Sequence, residues 1–172
     1  RAYWVLEDTI AWEAGDSAAN TYKLCYAPEG GLEATPEGIT GGDCITLLRD
    51  PNGLPQAVQD KFPHLADLPA LKIDPNDMGL VAEILKGQFA VSAVNAEGVS
   101  QDATGLQIPG VLDDMYTYNG SLGVTWQDGA PTISVWAPTA KNVSFYLYAD
   151  SDPATEGTVY PMTLDPATGV WS

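Results

Sequence analysis

Basic side chains are scarce in this chain of 172 residues. Seven Lys and Arg stand against 23 Asp and Glu, which gives a net charge of −16. A surface of this sign is repelled by the phosphate backbone of nucleic acids and by the anionic lipids of a membrane surface. We therefore expect no nucleic-acid partner and no membrane partner, because an acidic balance favours neutral or cationic partners.

Long apolar runs are also lacking. No stretch approaches the roughly 18 residues that a membrane-spanning helix needs. The chain opens at Arg1 without the charged and apolar regions of a signal peptide. We interpret it as a mature or excised segment of a longer protein.

Metal ligands of the soft type are nearly absent, since the chain has two cysteines and one histidine, His64. No CxxC or Cys/His spacing is present, which excludes structural zinc. His64 stands between Pro63 and Leu65, and we interpret it as a structural residue of a rigid loop. No serine or cysteine near it supports a catalytic triad.

Calcium is the ion that clustered acidic residues could bind, because carboxylate oxygens are its ligands. Asp150, Asp152 and Glu156 follow one another in a short loop, but Ala154 and Thr155 occupy positions where a calcium loop needs an oxygen ligand and a glycine. We expect a solvated hairpin loop. The sequence thus predicts no metal site and no cofactor, and calcium has no specific motif to support it.

The two cysteines, Cys25 and Cys44, each lie in a strand-like run, with a turn-rich stretch between them. Two interpretations stay open. One is a disulfide between neighbouring strands, which closes a loop of about 18 residues and contributes about 3 kcal/mol. The other is a pair of small buried thiols.

Convincing long helices are missing, and short strands take their place. Alternating runs such as Thr21–Ala27 and Gln88–Asn95 are bounded by Gly, Pro, Asn and Asp at intervals of about 8–12 residues. This spacing is typical of β-sandwiches. We expect an all-β fold with two immunoglobulin-like β-sandwich modules in tandem, the second incomplete.

The predicted module boundaries follow from Pro109–Gly110, where the pattern of alternating strands is interrupted. We expect a first sandwich over residues 1–110, an inter-module linker over 111–119 that includes Asp113 and Asp114, and a second module over 120–172. The second module has only four or five strands. A sheet of that size leaves an open edge and an uncovered apolar face.

Several motifs carry a family resemblance. The run VWAPTAKNV at 135–143, with GVTW before it and PMT and GVW after it, resembles the first part of a family-48 carbohydrate-binding module. The segments YWVLEDTIAW, QDKFPHLADLPALKI and ATGLQIPGVLDDMYTYNG resemble the N-terminal sandwich domain that precedes this module in bacterial pullulanase-type debranching enzymes of glycoside hydrolase family 13.

The resemblance implies a non-catalytic accessory region of a secreted or cell-surface bacterial enzyme that hydrolyses α-1,6-glucosidic linkages. The implied partners are an α-glucan (pullulan, starch or glycogen) and the remainder of the parent enzyme. Catalysis in the family takes place on a (β/α)₈ barrel of about 250 residues, and this segment contains no such alternation, so the segment itself is not expected to be an enzyme. The alternative is a structural spacer that packs on the catalytic domain without glycan affinity.

Tryptophan and tyrosine are the candidate ligand-binding residues. The chain has 5 Trp and 8 Tyr but only 3 Phe, and the C–H face of a sugar ring stacks on Trp and Tyr. The candidates for carbohydrate binding are Trp126, Trp136, Tyr146, Tyr148 and, as a donor to hydroxyls, Lys141. The open alternative is that these aromatic residues pack against a neighbouring domain.

Overall fold

Short strands are the main secondary structure of the chain, and this confirms the all-β prediction. In the computed structural model, which describes residues 1–14 and 19–172, the chain divides into a first unit, Arg1–Met115, and a second unit, Tyr116–Ser172. Among these residues, no helix is long and apolar enough to cross a membrane.

Ten strands of the first unit are described: β1 (Ala2–Leu6), β2 (Thr9–Ala11), β3 (Thr21–Ala27), β4 (Glu33–Thr35), β5 (Gly38–Thr40), β6 (Asp43–Asp50), β7 (Ala70–Ile73), β8 (Gln88–Val94), β9 (Ser100–Thr104) and β10 (Leu106–Gln107). Its helices are short: α1 (Gln56–Lys61), α2 (Val81–Ile84) and α3 (Pro109–Met115), with 3₁₀ turns at Pro63–Leu65 and Met78–Leu80.

Eight of these strands form one continuous sheet in the order β10-β1-β2-β7-β6-β3-β8-β9, while β4 and β5 form a separate hairpin. Neighbours are antiparallel except β1 and β10, which are parallel. The sheet closes over its own core, because Trp4 of β1 contacts Phe89 of β8, near the opposite end, with 5.9 Å between ring centroids. One sheet thereby provides both layers of the sandwich.

The core of the first unit is built from every second residue of these strands, as the two-residue period of a strand requires. Trp4, Ile10, Leu24 and Leu71 are fully buried in it. Side chains of α2 and α3 join this cluster. A smaller cluster lies on the other face of the sheet, where α1 places Val58 near Val5, Ala11 and Ala70.

Residues 111–115 belong to the first unit rather than to the predicted linker over 111–119. Val111 is fully buried, and Asp113 pairs with Lys61 at 3.0 Å. Asp114 accepts a hydrogen bond from the backbone N–H of Glu7 at 2.7 Å. Pro109–Gly110 is the start of α3 and not a break between modules, because proline is favoured in the first turn of a helix.

Gly110 is required by the close approach of α3 to β1. A Cβ at this position would lie 2.8 Å from the Cα of Val5. Helix propensity alone predicts that Gly110→Ala stabilises α3 by about 1 kcal/mol. We expect the opposite, a loss of about 1–3 kcal/mol in the free energy of unfolding, measured by urea denaturation. The matched control is Gly79→Ala, where the new Cβ meets nothing within 4 Å; equal stabilities for the two variants would contradict this packing.

An ion pair beside the paired strands β2 and β7 makes the stability depend on pH. Lys72 Nζ lies 2.9 Å from an Asp8 carboxylate oxygen and also donates to the Thr9 hydroxyl. Burial acts to raise the pKa of Asp8, but hydrogen bonds from Thr9 and Lys72 and the charge of Lys72 outweigh it and hold the pKa below its ordinary value.

A depressed carboxyl pKa contributes stability above its unfolded value and loses that contribution as the pH falls through the folded value. We therefore expect the stability of the first unit to decline on acidification below about pH 4. In Asp8→Asn the melting temperature is expected to fall less steeply below about pH 4, as measured by thermal unfolding across pH. Asp102→Asn, at an exposed position of β9, serves as the control. An Asp8→Asn variant that loses stability below about pH 4 as steeply as the unaltered chain would rule out this assignment.

The second unit has six described strands: β11 (Gly123–Gln127), β12 (Ala130–Trp136), β13 (Ser144–Leu147), β14 (Thr158–Pro161), β15 (Leu164–Asp165) and β16 (Val170–Trp171). They form a four-stranded sheet, β11-β12-β16-β15, and a two-stranded ribbon, β13-β14. Met162, Val170 and Trp171 are the buried hydrophobic side chains of the described unit. Its remaining large apolar side chains are partly or well exposed.

Candidate functional site

The four-stranded sheet of the second unit has one apolar and one more polar face. Residues opposite each other in an antiparallel pair share a face, and the register pairs Val124 with Ile133, Trp126 with Pro131, and Val135 with Trp171. We call the side formed by Val124, Trp126, Ile133, Val135 and Trp171 the apolar face. Trp126 is 69% exposed on it.

Trp136 lies on the opposite face from Trp126, together with Thr132 and Ser134. Its indole Nε1–H donates to the carbonyl of Thr168 at 2.9 Å, and the residue is half-buried. The structure therefore does not bring the two tryptophans together. Trp136 uses its polar atom to hold the turn between β15 and β16.

Tyr146 and Tyr148 are the two predicted residues that the structure does bring together. Their rings are nearly parallel, with an interplanar angle of 20° and 6.5 Å between centroids. Tyr146 is 58% exposed and Tyr148 is 53% exposed. We call these two residues the tyrosine pair.

The tyrosine pair follows the two-residue period of a strand, with Tyr146 in β13 and Tyr148 one residue past its end. Tyr146 stands opposite Val159, while Phe145 stacks on Tyr160 on the other face, with 4.9 Å between centroids. Gly157 supports the pair from the following loop, because a Cβ there would lie 2.9 Å from the Tyr148 ring. Both rings are exposed and nearly parallel, and exposed tyrosine rings suit stacking against the apolar face of a sugar.

Lys141 is exposed in the segment between β12 and β13, outside both strands.

The acidic loop after β13 is occupied by its own hydrogen bonds. The Asp150 carboxylate accepts from the Thr155 hydroxyl at 2.7 Å and from the Asp152 backbone N–H at 2.9 Å. These two contacts lower the pKa of Asp150. Among residues 1–14 and 19–172, no group of three or more His, Cys, Asp or Glu is placed to hold a metal ion.

Cys25 and Cys44 form a disulfide between β3 and β6. The two residues stand directly opposite each other in the register. Cys25 is buried in the sheet, and Cys44 is exposed. Because residues directly opposite each other share a face, the bond lies on one face of the sheet, away from the core that contains Leu24 and Ile45.

Comparison with protein families assigns both units. Residues 1–114 match the Pullulanase N2 domain. The chain belongs to the pullulanase N2 domain family. Residues 121–172 match carbohydrate-binding module 48, the isoamylase N-terminal domain. The resemblance stated from the sequence is confirmed, and the tyrosine pair lies within the residues that match the carbohydrate-binding module.

Known relatives of this N2-domain chain are pullulanases. It is 37% identical to pullulanase 1, chloroplastic, of Arabidopsis thaliana over 173 residues, covering 100% of the chain and 17% of the relative. It is 34% identical to the pullulanase of Klebsiella pneumoniae, covering 99% of the chain and 15% of the relative. The chain therefore spans about a sixth of the length of these relatives.

Solved pullulanases share the fold of the N2-domain chain. The crystal structure of Klebsiella pneumoniae pullulanase complexed with maltotriose superposes with a TM-score of 0.85 at 32% identity, over 99% of this chain and 16% of that one. The apo pullulanase of the same organism gives a TM-score of 0.85 at 33% identity, over 99% of this chain and 18% of that one.

One feature of the N2 domain was missed by sequence reasoning. His64, interpreted as a structural residue, lines a pocket of the first unit with Tyr3 and Phe62. The signal available in the sequence was the pair of aromatic residues Phe62 and His64 around Pro63. It gave no hint of Tyr3, which is about 60 residues away in the chain.

Proposed function

We propose that this chain is a non-catalytic accessory region of a pullulanase-type enzyme and that it binds α-glucan through the tyrosine pair. The parent enzyme would hydrolyse α-1,6-glucosidic linkages in pullulan, starch or glycogen. The observation that carries the proposal is the exposed, parallel pair of Tyr146 and Tyr148 inside residues matching a carbohydrate-binding module. The maltotriose complex of a Klebsiella pullulanase supports the ligand class.

We assign the hydrolytic chemistry to another part of the parent enzyme. Retaining glycosidases hold two carboxyl groups about 5–5.5 Å apart across the scissile bond. Asp113 pairs with Lys61, and Asp150 is engaged by Thr155. The partners that engage these two carboxylates support a structural role for both.

Affinity electrophoresis tests glycan binding. The chain is expected to be retarded in gels containing pullulan, amylopectin or glycogen. Because stacking is the main contact, Tyr146→Ala/Tyr148→Ala is expected to abolish most of the retardation, a loss of about 1–3 kcal/mol by analogy with other aromatic stacking sites.

Tyr118→Ala is the matched control for that experiment, since Tyr118 is exposed in the same unit and lies before β11. It should migrate like the unaltered chain. Equal retardation of the double variant and the unaltered chain would remove the tyrosine pair from the binding site, and no retardation of either would overturn the glycan-binding proposal.

The apolar face favours a second function, a packing module that contacts the remainder of the parent enzyme. Val124, Trp126 and Val135 are exposed side by side on this face, and contiguous exposed apolar patches mark interaction surfaces. Trp126→Ser in the parent enzyme is expected to lower its melting temperature and leave glycan retardation unchanged. A variant that loses retardation but keeps its melting temperature would instead place Trp126 in the glycan site.

We further propose that the protein is secreted or displayed at the surface of a bacterial cell. The Cys25–Cys44 disulfide supports this, since such bonds persist mainly in oxidising compartments. Alkylation of protein taken directly from its source should find both cysteines protected. Reaction of both thiols with the alkylating reagent would contradict an exported protein.

A further inference from the structure

A small pocket opens on the first unit where β1, the 3₁₀ turn Pro63–Leu65 and the start of α3 meet. Its volume is about 200 Å³ and its walls are mostly apolar. Tyr3, Phe62 and His64 form its aromatic wall, and Gln107 and Gly110 also line it. We call it the aromatic pocket.

The aromatic wall is held in place by its own contacts. The His64 ring meets Tyr3 nearly at right angles, with 6.1 Å between centroids, and meets Phe62 in the same way at 6.4 Å. Phe62 is also covered by Lys61, whose Nζ lies 5.3 Å from the ring centroid. His64 is exposed, and its ring is contacted by two aromatic neighbours, which favours a preformed site.

Three polar side chains, those of Tyr3, His64 and Gln107, stand around this apolar wall. They offer a hydroxyl, an imidazole and a carboxamide, each able to donate or accept. An apolar pocket with a few converging polar groups is the general form of a small-molecule site.

Size and charge narrow the choice of ligand. A volume of about 200 Å³ lies below the roughly 300–1,000 Å³ of pockets for drug-sized ligands, so the pocket accommodates one ring. Lys61, which precedes Phe62 in the chain, pairs with Asp113 at 3.0 Å, and the chain carries a net charge of −16. An anionic ligand is therefore disfavoured, and a neutral polar ring is favoured.

We propose that the aromatic pocket is a second carbohydrate site that takes a single α-glucosyl ring, such as the end of an α-glucan chain. Phe62 and His64 supply apolar surface for the C–H groups of the ring, and Tyr3 and Gln107 bind its hydroxyls. The choice of an α-glucose ligand rests on the proposed function. The pocket itself belongs to the first unit and is formed without the tyrosine pair.

Amide chemical shifts of the ¹⁵N-labelled chain test the site with methyl α-D-glucoside and maltotriose as probes. We expect saturable shifts at the amides of Phe62, Gln107 and Gly110 with both probes, at similar affinity because only one ring enters. His64→Ala and Gln107→Ala are each expected to weaken this binding about tenfold. Gln101→Ala, an exposed glutamine of β9, is the matched control and should bind like the unaltered chain.

The outcomes separate this site from the tyrosine pair. Pocket shifts that persist in Tyr146→Ala/Tyr148→Ala support an independent site, even if retardation in polysaccharide gels is lost. Sugar-induced shifts confined to the second unit overturn the pocket proposal and leave the proposed function standing. Shifts of the pocket amides with indole but not with either sugar would show that the pocket accepts an apolar side chain, which also overturns the proposal.

Discussion

Trp4→Ala is expected to lower the free energy of unfolding of the first unit by about 3–5 kcal/mol, the usual cost of deleting a large aromatic side chain from a core. Trp4 is fully buried and its ring meets Phe89 edge to face at 5.9 Å. Its Nε1–H also donates to the carbonyl of Glu7 at 3.2 Å. The substitution removes a contact between two strands near opposite ends of the sheet, as well as the volume of the indole.

The control for Trp4→Ala is the same change at Trp126, which is 69% exposed. Because an exposed side chain fills no cavity, Trp126→Ala is expected to stay within about 0.5 kcal/mol of the unaltered chain. Both variants are compared by urea denaturation followed by circular dichroism. A loss below about 1 kcal/mol for Trp4→Ala would mean that the sheet does not close over Trp4 as described.

Removal of the Cys25–Cys44 disulfide has the second large effect. The bond joins residues separated by 19 positions, and a loop of that size restricts the unfolded chain by about 3 kcal/mol. Cys25→Ala/Cys44→Ala is expected to lose about that amount. Alanine is chosen because Cys25 lies in the interior of the sheet, where a serine hydroxyl would add a cost of its own.

Reduction separates the bond from the side chains. The unaltered chain treated with dithiothreitol should unfold at nearly the same urea concentration as the double alanine variant, and the variant itself should not respond to the reductant. If the reduced and oxidised forms of the unaltered chain unfold together, the disulfide contributes nothing, and the pairing of β3 with β6 alone holds these strands.

Much of the fold could be predicted because local sequence patterns indicate its strands. The alternation in Thr21–Ala27 and the turn residues around Ala70–Ile73 predict strands whose bounds agree with β3 and β7. The helix over Gln56–Lys61 follows from Pro55 at its start, and it has those bounds in the structure. In each case the information lies within about ten residues of the element itself.

The remaining features depend on partners far away in the chain. The parallel pairing of β1 with β10 joins Ala2 to Leu106, and no local pattern predicts it. The helix α3 could not be predicted for a similar reason, because the need for glycine at position 110 arises only from its close approach to the backbone of Val5. Sequence order alone gives neither contact.

The candidate site was predicted only in part, and register explains the difference. Tyr146 lies in β13 and Tyr148 follows its last residue, two positions on, so their shared face follows from the strand period continued by one residue. Trp126 and Trp136 lie in two strands, and their relative placement depends on the pairing of Trp126 with Pro131. That pairing sets them on opposite faces, which composition and spacing do not reveal.

The most direct test of the account is an isotope-filtered nuclear Overhauser measurement on the labelled chain with maltotriose. The account predicts contacts between the C–H protons of a glucosyl ring and the ring protons of both Tyr146 and Tyr148, and their loss in Tyr146→Ala/Tyr148→Ala. Contacts from the sugar to the apolar face around Trp126, with none to the tyrosine pair, would contradict it.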